Sequence, residues 1–300
     1  MKTFVPGFYK DFTCIAGECR NSCCIGWEID IDPITLKKYN KMSGETGKKI
    51  RENICFQDDT AFFRLEKNEK CPFLNKDNLC DIILDAGEGF LCDICRDHPR
   101  FRNFYSDRIE MGLGLCCEEA ARIILDDKEP FSLVPLDGKT ENLSFEEIFF
   151  IEERDLLIKT VESEKDVFAA IEKINGIYEL KSIEFEVNLL ADFLLSLERL
   201  NRAWTDKLNL LKSSRLSDKQ TVRSENAFKN LYKYFLFRHL TDEGFYENLA
   251  FAEFSTKVIF EICGRTGFSF RNICEVARMY SSEIEYSDEN KDRIIEFAGE

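Results

Sequence analysis

The stretch 80-CDIILDAGEGFLCDICRDHPR-100 allows two different folds. Residues 83–89 combine an apolar run, an acid and a Gly-x-Gly turn, which is typical of the glycine-rich cofactor loop of a Rossmann-type fold. The same stretch carries Cys80, Cys92 and Cys95, and closely spaced thiols are typical of a metal-binding module. The context of the stretch decides between the two interpretations.

A Rossmann-type loop needs a buried strand before it and small residues at fixed positions after it. Here a cysteine-bearing hairpin precedes the loop, with 75-NKDN-78 as its turn, and Leu91 stands where a third small residue is expected. Cysteines lie on both sides. We therefore interpret residues 83–89 as a turn and a short helix that carries Cys95 back to a metal.

Composition narrows the class of protein. The chain has 300 residues, and its 44% hydrophobic and 32% charged content is that of a soluble globular protein. Its net charge of -15 argues against nucleic-acid binding, which requires a basic surface. The sequence contains no apolar run of membrane-spanning length, and its start lacks the pattern of a secretory signal. We expect a cytoplasmic protein with no membrane partner.

The cysteines are concentrated in the first part of the chain. Of thirteen, eleven lie between Cys14 and Cys117. In a reducing cytosol such thiols are not expected to form disulfides, so the clustering predicts a metal site, and thiolates suit zinc and iron–sulfur clusters. We interpret four other cysteines as small buried apolar residues: Cys55, Cys117, Cys263 and Cys274. We favour the same interpretation for Cys92.

The second half of the sequence has helical periodicity. Ser144 and Glu147 fit a capping box that opens a helix. Three apolar stripes then follow helical spacing: Leu190, Phe193, Leu194, Leu197, Leu200, Trp204, Leu208 and Leu211; Phe228, Leu231, Tyr232, Phe235 and Leu236; and Ile273, Val276, Ala277 and Tyr280. We predict an α+β, mostly helical fold, with a small cysteine-rich metal module with short strands (1–125), a linker (126–143) and an all-α domain (144–300).

Several motifs resemble those of one family. The strings 12-FTCIAGECRNSCCIGW-27, 71-CPFLN-75, 79-LCDI-82, 95-CRDHPR-100 and 113-LGLCCEEAAR-122 resemble the flagellin lysine-N-methylase (FliB) family, and the cysteine module is similar to YkgJ-like metal-chelating proteins. The resemblance covers residues 8–125. It selects eight metal ligands: Cys14, Cys19, Cys23, Cys24, Cys71, Cys80, Cys95 and Cys116. Two positions depart from the family pattern, His98 in place of an aromatic residue and Cys117 in place of a proline. We interpret His98 as a packing residue.

The resemblance implies transfer of methyl groups from S-adenosylmethionine to lysine side chains of flagellin. It also implies an iron–sulfur cluster of the 4Fe-4S type, with zinc as the alternative metal. A lysine amine must be neutral to attack a methyl group, so such a site has to lower the lysine pKa or supply a base. Arg96 and Arg100 flank the metal motif and are candidates to pair with the cofactor carboxylate, or else with nearby acids. The sequence singles out no catalytic base.

Two other functions fit the cysteines. One is a non-enzymatic iron–sulfur or zinc module that presents a helical interaction domain or carries electrons, which needs no cofactor pocket. The other is zinc trafficking, which requires exchangeable zinc.

Overall fold

The computed structural model describes residues 1–138, 142–213, 222–241 and 244–299. The described part of the chain is mostly helical with a few short strands, so the predicted α+β fold class is confirmed. None of its helices has the length and apolar character needed to cross a membrane. The predicted linker includes residues 139–141, which lie outside the described residues.

The strands are short. In chain order they are β1 (Lys2–Pro6), β2 (Asp30–Ile31), β3 (Ile54–Gln57), β4 (Thr60–Phe63), β5 (Arg100–Phe104), β6 (Arg108–Leu113) and β7 (Leu133–Asp137). They form two sheets, with strand orders β5-β6-β1-β7 and β2-β4-β3. β7 lies within the predicted linker and pairs antiparallel with β1, so this part of the linker is regular structure.

The helices lengthen towards the end of the chain. They are α1 (Pro33–Lys41), α2 (Gly44–Glu52), α3 (Asp81–Ala86), α4 (Asp93–Asp97), α5 (Glu118–Asp126), α6 (Phe145–Ser163), α7 (Val167–Ile177), α8 (Val187–Ser196), α9 (Arg202–Ser213), α10 (Val222–His239), α11 (Phe245–Thr266), α12 (Phe270–Tyr280) and α13 (Asp288–Gly299). A π-helical turn, Ser281–Glu285, follows α12 directly.

One compact unit consists of Thr13–Arg100. Its core contains Ile29, Tyr39, Phe63, Phe73 and Ile82, all nearly inaccessible to solvent. The Tyr39 hydroxyl donates to the carbonyl of Phe90 at 2.7 Å, which gives this buried phenol a hydrogen-bond partner. A unit of this size buries a smaller fraction of its surface on folding than a larger domain does.

Within this unit, the stretch 80–100 is a pair of short helices. α3 ends at Ala86, and the next residue, Gly87, has a φ of +87°, which glycine adopts without strain. A 3-10 turn then leads to α4. Ile83 and Leu84 are 38% and 59% exposed, whereas the strand before a Rossmann-type loop is buried. The interpretation of residues 83–89 as a turn and a short helix is confirmed.

The other unit consists of Met1–Phe12 and Phe101–Glu300. β1 runs parallel to β6 and antiparallel to β7. The predicted capping box is present, since Ser144 Oγ accepts from Glu147 N and the Glu147 carboxylate accepts from Ser144 N. Most of the predicted stripes are buried. Leu200 is an exception and is 58% exposed, because α8 ends at Ser196 and α9 begins at Arg202.

The grouping into units differs from the predicted ranges 1–125, 126–143 and 144–300. β6 and α5 belong to the helical unit because Leu113, Leu115 and Ile124 are buried in its hydrophobic core. The cysteine-rich unit is inserted between Phe12 and Phe101 of the other unit.

A buried ion pair ties the sheet to α6. The guanidinium of Arg154 is bonded to the carboxylate of Glu110, and neither side chain has any solvent exposure. Arg108 Nη2 also lies 2.6 Å from Glu110 Oε1, and Arg154 Nη1 donates to the hydroxyl of Tyr105 at 3.2 Å. These bonds compensate the loss of water around the two charges.

Candidate metal centre

Five thiols of the unit Thr13–Arg100 lie close enough to perturb one another electrostatically: Cys24, Cys71, Cys80, Cys92 and Cys95. Cys71 N donates to the carbonyl of Cys24 at 2.8 Å, which joins two distant segments of the chain. Cys80 and Cys92 are the N-cap residues of α3 and α4, and Cys95 lies within α4. The tertiary fold, and not local spacing alone, brings these five together.

Local structure explains the position of Cys80 and the proximity of Cys92 to Cys95. The Oδ1 atom of Asn75 accepts from the backbone N–H groups of Asp77 (2.9 Å) and Leu79 (3.1 Å), which closes the tight hairpin ahead of Cys80. The three-residue spacing of Cys92 and Cys95 places both on the same side of the first turn of α4. Their thiols are hydrogen-bonded to each other.

The thiols differ in acidity. Burial raises the pKa of Cys71 to about 12 and also raises that of Cys80. The hydrogen bond with Cys23 lowers the pKa of Cys24 to about 7, against the effect of burial. The hydrogen bond between Cys92 and Cys95 lowers the pKa of Cys92 and, together with burial, raises that of Cys95. Five partly buried thiols cannot all ionise beside one another unless a cation compensates them.

That chemistry fits a soft metal. A bound metal ion deprotonates a coordinating thiol outright, and thiolates are the preferred ligands of zinc and of iron–sulfur clusters. Throughout the described ranges, no three His, Cys, Asp or Glu side chains converge closely enough to hold a metal ion as they stand. The five thiols are therefore of the right chemical type for a soft metal, but they lie farther apart than the ligands of a bound metal ion.

Three other predicted ligands lie on the loop before Cys24. Cys14 and Cys23 are exposed and Cys19 is half-buried. Cys19 Sγ donates to the carbonyl of Asn21 at 3.2 Å, and Cys14 Sγ accepts from Ala16 N at 3.4 Å. Solvent reaches these three thiols, and the thiol of Cys23 is hydrogen-bonded to that of Cys24.

The eighth predicted ligand, Cys116, belongs to the other unit. Burial raises the pKa of its thiol to about 11, and its Sγ donates to the hydroxyl of Tyr286 at 3.2 Å. The structure thus brings together Cys24, Cys71, Cys80 and Cys95 of the eight, and the hydrogen bond between the thiols of Cys23 and Cys24 joins Cys23 to them. It adds Cys92, whose only signal in the sequence was the Cys-x-x-Cys spacing with Cys95.

His98 lies directly after α4. Its ring packs against Trp27, with 5.9 Å between ring centroids, and burial lowers the pKa of the imidazole to about 4. The Nε2 atom is buried and has no hydrogen-bond partner among the described residues. His98 is therefore a neutral ring that packs on Trp27, as a packing residue is expected to do.

The two arginines proposed for cofactor binding have different surroundings. Arg96 Nη2 lies 2.5 Å from Asp93 Oδ1, and this carboxylate raises the pKa of the guanidinium. The side chain is still 48% exposed. Arg100 Nη1 lies 3.5 Å from the carbonyl of His98. Arg96 thus already pairs with an acid of its own helix.

A buried polar cluster in the larger unit has no signal in the apolar periodicity of the sequence. Glu285, the last residue of the π-helical turn, lies 2.5 Å from His239 Nε2 and accepts from the Tyr234 hydroxyl at 3.0 Å. Arg238 Nη1 donates to the same hydroxyl at 2.6 Å. The cluster contains buried acid and base groups, and π-helical turns are frequent at functional sites.

Comparison with known proteins identifies the family. The chain is 30% identical over 142 residues to the flagellar biosynthetic protein FliU of Salmonella muenchen. This match covers 43% of the chain and 79% of FliU. It is also 30% identical over 134 residues to a lysine-N-methylase of Salmonella typhimurium. The chain belongs to the FliB-like family. The resemblance inferred from the sequence motifs is confirmed.

The match to the FliB-like lysine-N-methylases is partial. It covers 43% of this chain and 33% of the Salmonella typhimurium protein. The lysine-N-methylase of Salmonella choleraesuis is 29% identical, and the match covers 33% of it as well. The chain thus spans about a third of the length of these FliB relatives. No protein-family model and no solved structure matches the chain.

Proposed function

We propose that this protein is a protein-lysine N-methyltransferase that transfers methyl groups from S-adenosylmethionine to lysine side chains of flagellin. The observation that carries the proposal is its similarity to relatives named lysine-N-methylase. The name of FliU supports the flagellar part of the proposal.

The reaction breaks one bond and forms another. The neutral amine of lysine attacks the methyl carbon of the sulfonium, the nitrogen–carbon bond forms, and the electron pair of the carbon–sulfur bond stays on sulfur. S-Adenosylhomocysteine leaves, and the methylated ammonium releases its proton to a base or to water. The protein must therefore align sulfur, methyl and nitrogen and bind the lysine in its neutral form.

We propose further that the thiols of the unit Thr13–Arg100 hold a metal, an iron–sulfur cluster or zinc. The gathered set of Cys24, Cys71, Cys80, Cys92 and Cys95 supports this, because a cation stabilises neighbouring thiolates that otherwise repel one another. When bound, such a group supplies positive charge and cross-links three segments of the unit. Arg96 and Arg100 remain candidates for the cofactor carboxylate.

Anaerobic purification tests the metal proposal. We expect iron with matching acid-labile sulfide, or zinc, in wild-type protein. Cys71→Ser and Cys95→Ser are expected to lose most of the metal, whereas Cys55→Ser, at a half-buried thiol outside the group, is expected to retain it. Equal metal content in all four proteins would exclude the gathered thiols as ligands.

Methyl transfer is measured separately with flagellin and S-adenosylmethionine labelled in the methyl group. We expect label in flagellin and methyl-lysine in its tryptic peptides. Absence of label with metal-replete protein would refute the methyltransferase proposal.

A second function is favoured by one observation: the matched region amounts to 79% of FliU, whose name specifies no reaction. In this alternative the protein is a metal module that presents its helices to a flagellar partner. A binding isotherm with S-adenosylmethionine separates the two, because only the methyltransferase requires saturable binding.

A further inference from the structure

α6 exposes large apolar side chains on the face that points away from the core. Phe145, Ile148, Phe149 and Leu156 are 79%, 43%, 61% and 55% exposed. We call these four residues the α6 stripe. The same helix buries a second apolar face that includes Phe150, Leu157 and Val161. α6 is therefore apolar on two sides, whereas a surface helix normally has one apolar face.

The members of the α6 stripe project from one side of the helix. At 100° per residue, Phe145, Phe149 and Leu156 project within about 40° of one another, and Ile148 lies beside them. Single exposed apolar residues are ordinary, but a row of large ones on one face marks an interaction surface.

Acidic residues border the α6 stripe. Glu146 and Glu153 lie on one side, Asp155 lies on the other, and Glu152 projects between Phe145 and Ile148. Lys159 is the one exposed basic residue of α6, and it projects beside Glu152. The whole chain carries a net charge of -15. A partner that complements this surface has an apolar face bordered by positive charges.

We propose that the α6 stripe docks an amphipathic, lysine-bearing helix of the protein substrate. The inference rests on the proposed function, since a lysine methyltransferase acts on a segment that presents lysines. The methylene stems of lysine side chains can cover Phe149 and Leu156, while their ammonium groups reach Glu146 and Glu152. The docking helix thus carries apolar residues at helical spacing with lysines at its borders.

Direct binding tests the docking surface without reference to catalysis. The probe is a fluorescein-labelled helical peptide of leucine and lysine, and the matched probe replaces every lysine with glutamate. Anisotropy should show saturable binding of the lysine probe only. Phe149→Asp/Leu156→Asp should weaken it by about tenfold or more, because central apolar contacts dominate such interfaces.

Leu189→Asp is the matched control, since Leu189 is 62% exposed on α8 and lies outside the α6 stripe. It should leave binding of the lysine probe unchanged. Glu146→Gln/Glu152→Gln should weaken binding several-fold and reduce its dependence on salt. Far-UV circular dichroism identical to wild type verifies the fold of each variant. Equal affinity of wild type and Phe149→Asp/Leu156→Asp would overturn the proposal.

Methylation kinetics then distinguish failure of the docking proposal from failure of the proposed methyltransferase function. The stripe variant should raise KM for folded flagellin about tenfold, leave kcat within about twofold, and leave methylation of a short lysine peptide unchanged. If wild type transfers methyl groups and the stripe variant has wild-type KM, docking is refuted and the proposed function stands. If wild type transfers none, the proposed function fails, and the peptide-binding result alone decides the docking surface.

Discussion

Replacement of Arg154 by methionine tests the buried ion pair that joins β6 to α6. The change leaves the carboxylate of Glu110 without its fully buried partner, and both side chains have no solvent exposure. Loss of one member of such a pair costs about 3–5 kcal/mol, because the remaining charge is buried without compensation. Arg108 remains 2.6 Å from Glu110, so we expect the lower end, about 3 kcal/mol.

The two tryptophans provide the assay, since Trp27 lies in the cysteine-rich unit and Trp204 is buried in the other. In a Trp27→Phe background, urea unfolding followed by fluorescence monitors Trp204. With a slope of about 3 kcal/mol per molar urea, Arg154→Met should lower the midpoint by about 1 M. The matched control is Arg122→Met, because Arg122 is 54% exposed and pairs with Glu119 on the surface of α5. That substitution should cost about 0.5 kcal/mol or less.

The double variant Glu110→Gln/Arg154→Met sharpens the test. A neutral amide costs less to bury than an unpaired carboxylate, so the double variant should be more stable than Arg154→Met alone. If Arg154→Met shifts the midpoint no more than Arg122→Met does, the reasoning about the buried pair is refuted.

Three further predictions concern pH, a hydrogen bond and the metal. Burial lowers the pKa of His239 to about 4, and for Glu285 burial is outweighed by Arg238 and His239, which bring its pKa to about 2. Both folded-state pKa values lie below the unfolded ones, so the free energy of unfolding should be highest above about pH 6.5 and fall between about pH 6.5 and 2. His239 alone should account for about 3 kcal/mol of this loss. In acid-unfolding curves, His239→Gln should flatten the upper part of the loss. Tyr39→Phe should destabilise the cysteine-rich unit by about 1–2 kcal/mol, measured by fluorescence of the tryptophan of that unit, because the carbonyl of Phe90 loses its 2.7 Å donor; an unchanged midpoint would contradict this. Removal of the metal with a chelator under reducing conditions should lower the thermal unfolding midpoint reported by the same tryptophan, because metal binding contributes to folding free energy. The midpoint of the other unit should stay unchanged. Equal shifts in both units would count against a metal in the cysteine-rich unit.

Helical periodicity and capping chemistry predicted the larger unit well. The capping box at Ser144 and the buried positions Leu190, Trp204 and Phe235 follow from local rules, because each depends on residues within one or two turns. The grouping of β1 with the helical unit could not be predicted. It depends on pairing with β6 and β7, and the sequence does not encode such distant partners locally.

The grouping of the cysteines could be predicted in part, and their role as metal ligands stays a prediction. Spacing and turn residues identified the cysteine-rich stretch, and the fold gathers Cys24, Cys71, Cys80 and Cys95 from it. Cys92 was interpreted as a packing residue because burial and ligation leave the same pattern in a sequence. The electrostatic group around it is visible only once α4 places its thiol beside that of Cys95.

The insertion of Thr13–Arg100 into the larger unit has a consequence for synthesis of the chain. A ribosome releases β1 first, then the whole cysteine-rich unit, and only afterwards β6 and β7. The nascent protein therefore carries an inner strand without its two neighbours while the inserted unit can already close its own core. Assembly of β1 into its sheet must wait for long-range pairing, which is the slow kind. Cells that lack chaperone capacity should accumulate nascent chains in which the inserted unit is folded and its host is not.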